Sequence, residues 1–224
     1  PPWIVPGTAT QLVVTGEGPW DGSIVLADVD LGPDVVATGV AAGAIPTELS
    51  VTASAGSEAT PGPRTVSIDN GPAGNVVLSD ALFVTAWPAT DSCTDADAYG
   101  PVDGSVLPRV GWAPGVSDTI TATGCFAWTS SGPEVVLALD LLAGERLSAS
   151  VLSAEDTQLY VLDACADPLT SCVTAASSDV GLDGEPEAFT DWEVPASGRY
   201  YLVVDTYLAP LDPFFSYELS FDIQ

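Results

Sequence analysis

The segment Tyr217-Glu218-Leu219-Ser220-Phe221-Asp222-Ile223 decides the fold class. Successive side chains of an extended chain point to opposite faces, so Tyr217, Leu219, Phe221 and Ile223 form one apolar face and Glu218, Ser220 and Asp222 the other. Such a strand is half-buried, with its polar face in water. Upstream, Leu147, Ala149 and Val151 repeat the device after the turn Ala143-Gly144-Glu145, and Val135, Leu137, Leu139 and Leu141 alternate before it. No segment carries the 3.6-residue apolar period of a substantial helix. The expected fold class is all-β.

Toward the N-terminus the strands shorten. Runs of β type fall at 11–15, 23–27, 48–53, 65–69, 76–78 and 82–85, separated by turns such as Gly18-Pro19, Gly32-Pro33-Asp34 and Pro61-Gly62-Pro63. Six or seven strands in about 85 residues is the count of an immunoglobulin-like sandwich. Pro88-Ala89-Thr90-Asp91-Ser92 reads as a short linker. The expected organisation is two tandem β-sandwiches: an immunoglobulin-like domain over 1–88, a linker over 89–92 and a second sandwich over 93–224. Charge is uneven between them: 9 acids and 1 Arg give −8 up to residue 88, and 22 acids with 3 Arg give −19 beyond it.

Composition removes most catalytic machinery. The 224 residues include 31 Asp plus Glu and 4 Arg, with no Lys, His or Met. Without histidine there is no Ser/His/Asp triad, no Cys/His pair and no imidazole metal site. Without lysine there is no Schiff-base amine, no Ser/Lys dyad and no phosphate-clamping P-loop. Carboxylate chemistry, oxygen-ligand metal binding or no chemistry remain. The net charge of −27 repels the phosphates of nucleic acids and anionic headgroups, and calls for screening salt or divalent cations. The longest apolar runs, such as 135–139, are strand-sized, far short of the ~20 residues of a spanning helix, so neither nucleic acid nor direct membrane insertion is expected. Because the chain opens at Pro1 and has no Met, a signal peptide or longer precursor is expected to have been removed.

Four cysteines, Cys93, Cys125, Cys165 and Cys172, allow three pairings. Cys165 and Cys172 bracket a short turn-forming segment, so a local bridge there with Cys93 paired to Cys125 is the economical expectation. The competing four-thiolate zinc site lacks both CxxC spacing and histidine. Disulfides imply an oxidising compartment, and hence an extracellular or cell-surface location.

Two family resemblances arise, each over about half the chain. The first half resembles an IPT/TIG-type immunoglobulin-like domain: Val5-Pro6-Gly7-Thr8 leads a strand, Thr15 to Gly18 forms a turn, Leu49-Ser50-Val51 a strand, and Thr60-Pro61-Gly62-Pro63-Arg64-Thr65-Val66 a turn and strand before Asn70-Gly71. The second half resembles the pre-peptidase C-terminal (PPC) domain, a jelly-roll-like sandwich appended to secreted bacterial proteins. The matching features are Leu142-Ala143-Gly144-Glu145-Arg146-Leu147, Thr157-Gln158-Leu159-Tyr160-Val161-Leu162 leading to Cys165, Ser197-Gly198-Arg199-Tyr200-Tyr201-Leu202-Val203-Val204-Asp205, and Tyr217-Glu218-Leu219. The family's Asp-x-Tyr-Phe strand stands here only as Pro133-Glu134-Val135-Val136. The resemblance implies a bacterial surface or secreted protein.

Among candidate sites, Asp205-Thr206 is followed by Tyr207 rather than the glycine of an aspartic-protease loop, and no second copy exists. Clustered aspartates on loops suit calcium, a hard cation that takes oxygen ligands, better than catalysis. The best-placed set is Asp91, Asp95 and Asp97 at the domain junction; Asp28, Asp30 and Asp34 form a second, and Asp179, Asp183, Glu185 and Glu187 a third. Trp20 and Trp112 lie beside turn residues, and the adjacent Phe214 and Phe215 point to opposite sides of an extended segment; Trp20, Trp112 and Phe214 are the aromatics expected to face outward for binding. The expected function is a non-catalytic secreted or cell-surface structural or adhesive protein, self-associating as a filament or array or contacting surface proteins or polysaccharide. The alternative is an accessory module of a secreted hydrolase.

Overall fold

The computed structural model describes residues 3–16, 19–20, 24–114, 119–121, 123–207 and 214–224, the side chains of 113, 114 and 214 excepted. The chain is all-β and divides into two compact units, Pro1–Ala86 and Trp87–Gln224.

Among the described residues of the first unit, seven strands form two sheets. One is ordered β1 (Trp3–Ile4), β7 (Asn75–Val84), β6 (Gly62–Asp69), β3 (Val29–Asp30); the other is β2 (Ala9–Thr15), β5 (Glu48–Ala55), β4 (Val35–Ala42). The pairing of β1 with β7 is parallel and the rest antiparallel, and the two sheets share one core, as in a β-sandwich. Alternation sends Leu12 and Val14 of β2 and Leu49, Val51 and Ala53 of β5 into one core with Ile4, Val29, Val66, Ile68, Leu82 and Val84. Arg64 is buried and donates from its guanidinium to the carbonyls of Pro33 at 3.0 Å, Gly62 and Pro63 at 3.1 Å, and Thr60 at 2.5 Å. It thereby ties the turn before β6 to the one before β4.

Local differences from the expected strands have local causes. Of the run expected at 23–27, residue 23 lies outside the described residues, and the rest leads into a 3-10 turn at Leu26–Asp28, closed by the Asp28 carboxylate accepting from the Val25 amide at 2.8 Å. The runs at 76–78 and 82–85 belong to one strand, β7, interrupted by a bulge where Asp80 takes φ +51°. Strand β4 escapes the alternation reading because its register shifts between Ala37 and Gly39.

Among the described residues of the second unit, eight strands form two four-stranded sheets. One is ordered β13 (Glu187–Glu193), β10 (Arg146–Ser153), β15 (Phe214–Ile223), β8 (Ser105–Pro114); the other is β12 (Cys172–Ser178), β11 (Thr157–Leu162), β14 (Gly198–Thr206), β9 (Glu134–Leu141). The first sheet has one solvated face, as the alternation of β15 dictates. The second is covered on both faces. Leu137, Leu139, Leu159, Val161, Leu202 and Val204 alternate in sequence with Val136, Ala138, Tyr160, Leu162, Tyr201 and Val203, and all are buried. The latter set packs with Cys93 and Ala96 of helix α1 (Cys93–Tyr99), with Ile120 and with Phe126. The unbroken apolar run 200–204 is therefore the signature of a strand buried on two sides.

The division between the two compact units falls between Ala86 and Trp87, ahead of residues 89–92. Ala89 and Thr90 are buried, the Thr90 hydroxyl donates to the Val136 carbonyl, the Val136 amide donates to the Thr90 carbonyl at 2.8 Å, and Ser92 caps α1 by accepting from the Asp95 amide at 3.2 Å. Residues 89–92 thus belong to the second unit. Helix α1 also sets the disulfides, which are Cys93–Cys165 and Cys125–Cys172 rather than the local pairing expected from sequence. Docking of α1 brings Cys93 to Cys165, while the short helix α2 (Pro168–Ser171) separates Cys165 from Cys172, which opens β12 opposite Leu162.

Candidate recognition site

The most deeply buried carboxylates serve the fold. Asp205 of β14 is wholly buried and accepts from the Ser130 hydroxyl at 2.7 Å and the Tyr160 hydroxyl at 3.1 Å. Glu134 accepts from the amides of Thr119 at 2.7 Å and Ile120 at 3.2 Å. Glu187 accepts from the Ser178 hydroxyl at 2.5 Å and from the amides of Val180 at 3.1 Å and Gly181 at 2.5 Å. Each holds a loop against a strand, the use that satisfies a buried charge.

The clusters expected to bind calcium are dispersed in the same way. Asp95 accepts from the Ser92 hydroxyl at 2.6 Å, and Asp97 accepts from Arg199 at 2.7 Å and from the Tyr201 hydroxyl at 2.9 Å; Asp91 contributes its backbone carbonyl to the Thr119 hydroxyl at 2.7 Å. Burial, together with the Asp97 bond, raises the Tyr201 phenol above its ordinary range. Asp28 and Asp30 close their own turns on Val25 and Gly32, and Asp34 adopts φ +64°. Among the described residues no three such side chains stand where they could share a metal ion.

Of the aromatics expected to face outward, Trp20 is half-buried against the first core and donates its indole N–H to the Thr47 carbonyl at 2.9 Å. Trp112, half-buried on β8, lines a shallow hollow of about 390 Å³ with Val110, Leu152, Ser216 and Glu218. Phe214 opens β15, and its side chain lies outside the described residues.

A different constellation is assembled at one end of the doubly covered sheet, where β12 ends, β11 begins and β14 ends. There Trp128, Asp156, Asp179, Val180, Gly181, Leu182 and Tyr207 line a hollow of about 300 Å³. Asp156 directly precedes β11 and Tyr207 directly follows β14; the Tyr207 amide donates to the Asp156 carbonyl at 3.0 Å. Asp179 follows β12 and accepts from the Trp128 indole N–H at 2.6 Å and from the Gln158 amide at 3.0 Å. The segment carrying Trp128 is pinned on both sides. Cys125 is bonded to Cys172, Phe126 meets Tyr160 edge to face at 5.8 Å, and Ser130 bonds to Asp205. Trp128 itself remains 49% exposed, with Val180 at 85% and Leu182 at 69% beside it.

The electrostatics of the hollow are one-signed. Burial, then the charges of Asp179, Asp183 and Glu187, raise the Asp156 carboxyl above the usual carboxylate range. Burial likewise raises Asp179, with the Trp128 and Gln158 bonds partly offsetting it and Glu187 adding to it. One Asp156 oxygen, Oδ1, is shut off from water with no hydrogen-bond partner among the described residues. All four arginines are engaged elsewhere: Arg64 with backbone carbonyls, Arg109 over the Trp87 ring, Arg146 with Glu193, Arg199 with Asp97 and Asp140. The third acidic cluster read from the sequence supplies one wall through Asp179; Trp128, Asp156 and Tyr207 join it only through the folded topology.

No protein-family model and no curated protein matches the chain. Among solved structures it is similar to the Aeromonas hydrophila periplasmic inhibitor of g-type lysozyme, PliG, with 17% identity, coverage of 55% of this chain and 94% of that one, and a TM-score of 0.33. It is also similar to the pre-peptidase C-terminal domain of a Bacillus anthracis collagenase, with 17% identity, coverage of 52% and 90%, and a TM-score of 0.30.

Proposed function

We propose that this is a non-catalytic extracytoplasmic protein with a structural or adhesive role, acting by binding through side chains displayed on its second unit. The observation that carries the reading is the division of labour among acidic and aromatic groups. Asp205, Glu134 and Glu187 are committed to internal donors, while Trp128 is held rigidly yet left half-exposed beside Val180 and Leu182. Exposed apolar and aromatic side chains grouped around a hollow are the usual composition of a contact surface. Two disulfides support an oxidising working environment outside the cytoplasm. Incubated with polysaccharide, peptide and ester substrates, the purified chain is expected to give no turnover; a robust rate abolished by substituting one carboxylate would overturn the proposal.

Self-association as a filament or array is the finer form of this reading. It is supported by β8, an outer strand of its sheet on which Val106 and Leu107 are exposed. Pro108 limits pairing along that edge and the net charge opposes close approach, so assembly is expected only where salt or divalent cations screen it. Light scattering and electron microscopy across a salt and chelator series test this. Monomers under every condition would rule out assembly and leave the binding role to single copies.

A further inference from the structure

We propose that the hollow between Trp128 and Tyr207 receives a cationic side chain, best a guanidinium, from a basic segment of a protein partner; the inference rests on the binding role proposed above. It is lined by the aromatic residues Trp128 and Tyr207, by the acidic residues Asp156 and Asp179, and by Val180 and Leu182, which are exposed. A planar guanidinium can lay its face on an aromatic ring while its edge donates to carboxylates, so one group satisfies both kinds of wall.

The chain's own side-chain cations are all engaged away from the hollow. With no lysine or histidine, four arginines are all the side-chain cations the molecule owns, and each is spent at another place. The hollow therefore carries partly desolvated negative charge at Asp156 and Asp179 with no side-chain cation of the chain paired to it among the described residues. A cation supplied from outside relieves that cost. An inorganic divalent ion fits poorly, because no three oxygen-bearing acids converge there among the described residues and the aromatic walls offer it no ligands. A neutral sugar would stack on the ring but would leave the carboxylates uncompensated. The pinning of Trp128 by the Cys125–Cys172 bridge, the Phe126–Tyr160 contact and the Ser130–Asp205 bond lowers the ordering cost of binding. The surrounding charge of −27 steers basic partners toward it.

The test uses the purified chain and a capped Gly-Gly-Arg-Gly-Gly peptide, with the same peptide carrying citrulline, the neutral counterpart of arginine, as control. Binding is read from the NMR shift of the Trp128 indole N–H, assigned by its loss in Trp128→Phe. The arginine peptide moves that resonance saturably, and the citrulline peptide binds about tenfold more weakly, the effect of losing one favourable charge contact. Asp156→Asn weakens arginine-peptide binding by about fivefold or more, and acidification to about pH 4 weakens it in the wild type as the carboxylates protonate. Equal binding of the two peptides, no shift at Trp128, or displacement of the peptide by millimolar calcium chloride would each overturn the proposal. Should Asp156→Asn fail to fold, the arginine-to-citrulline comparison on the wild type decides alone. Turnover of a substrate in the assays above would instead sink the non-catalytic reading, so the two failures are distinct.

Discussion

Ser130 and Asp205 meet at 2.7 Å across 75 residues of chain, and their bond fastens the segment bearing Trp128 to the buried end of β14. The carboxylate also accepts from Tyr160, so its removal strands two donors in the interior. Asp205→Ala is expected to cost about 3 kcal/mol and Tyr160→Phe about 2 kcal/mol, both read from urea midpoints. Losses below about 0.5 kcal/mol for both would show that water replaces these bonds freely.

Tyr217 lies opposite Gly111 in the β15–β8 pair, and a Cβ at Gly111 would stand 2.2 Å from Cζ and 2.4 Å from the hydroxyl oxygen of Tyr217. Gly111→Ala therefore forces the ring out of its packed position, with an expected loss of about 2 kcal/mol. The Tyr217 hydroxyl has no hydrogen-bond partner among the described residues, and burial drives its pKa far above the phenol range. Tyr217→Phe is accordingly expected to leave stability unchanged or raise it by up to about 1 kcal/mol. A clear destabilisation would reveal a partner for the hydroxyl.

The raised carboxyls of Asp156 and Asp179 set a direction for pH dependence. A carboxyl whose folded pKa exceeds its unfolded value favours the fold while protonated. That contribution is complete below the unfolded pKa, near 3.8, and is lost as pH rises through the folded value. Asp156→Asn should therefore raise the thermal midpoint at pH 7, and the gain over wild type should vanish by about pH 3. The same substitution weakens peptide binding, the trade between stability and function expected of a site that stores unfavourable charge. An unchanged midpoint at both pH values would remove the electrostatic account of the hollow.

Digestion without reduction, followed by mass spectrometry, should yield linked peptides containing Cys93 with Cys165 and Cys125 with Cys172. The separations are 72 and 47 residues, so loop-closure entropy assigns each bridge about 4 kcal/mol. Replacing Cys125 and Cys172 together by serine should lower stability by that order and broaden the Trp128 indole resonance. A fragment holding Cys165 and Cys172 as a closed loop would contradict the fold of the second unit.

The strands of the second unit are legible because their periodicity survives into the structure. The alternation at 217–223 and 147–151 became β15 and β10 with the stated faces inward. What escaped were features that need a partner distant in sequence. Thr90 and Ser92 have linker composition, yet one bridges to Val136 and the other caps α1, because small polar residues suit caps and bridges as well as linkers. The cysteine pairing failed for a related reason: short spacing favours a local bridge only when nothing intervenes, and α1 delivers Cys93 from across the unit. At the hollow, Asp179 lay within an acidic run visible in the sequence, but Trp128 is separated from it by 51 residues and offered no local signal.

The two disulfides interleave in sequence, since Cys125 lies between Cys93 and Cys165 while Cys172 lies outside them. A chain threaded out of a translocation pore N-terminus first exposes Cys93 and Cys125 together, well before either native partner follows. Pairing in order of emergence therefore yields the wrong bridge, and the native set requires either that oxidation wait until α1 and β11 to β14 have docked or that a thiol-exchange catalyst undo the early error. Yield in an export host should thus depend on disulfide-isomerase activity more than on oxidant strength, a demand imposed by the order of four cysteines along the chain.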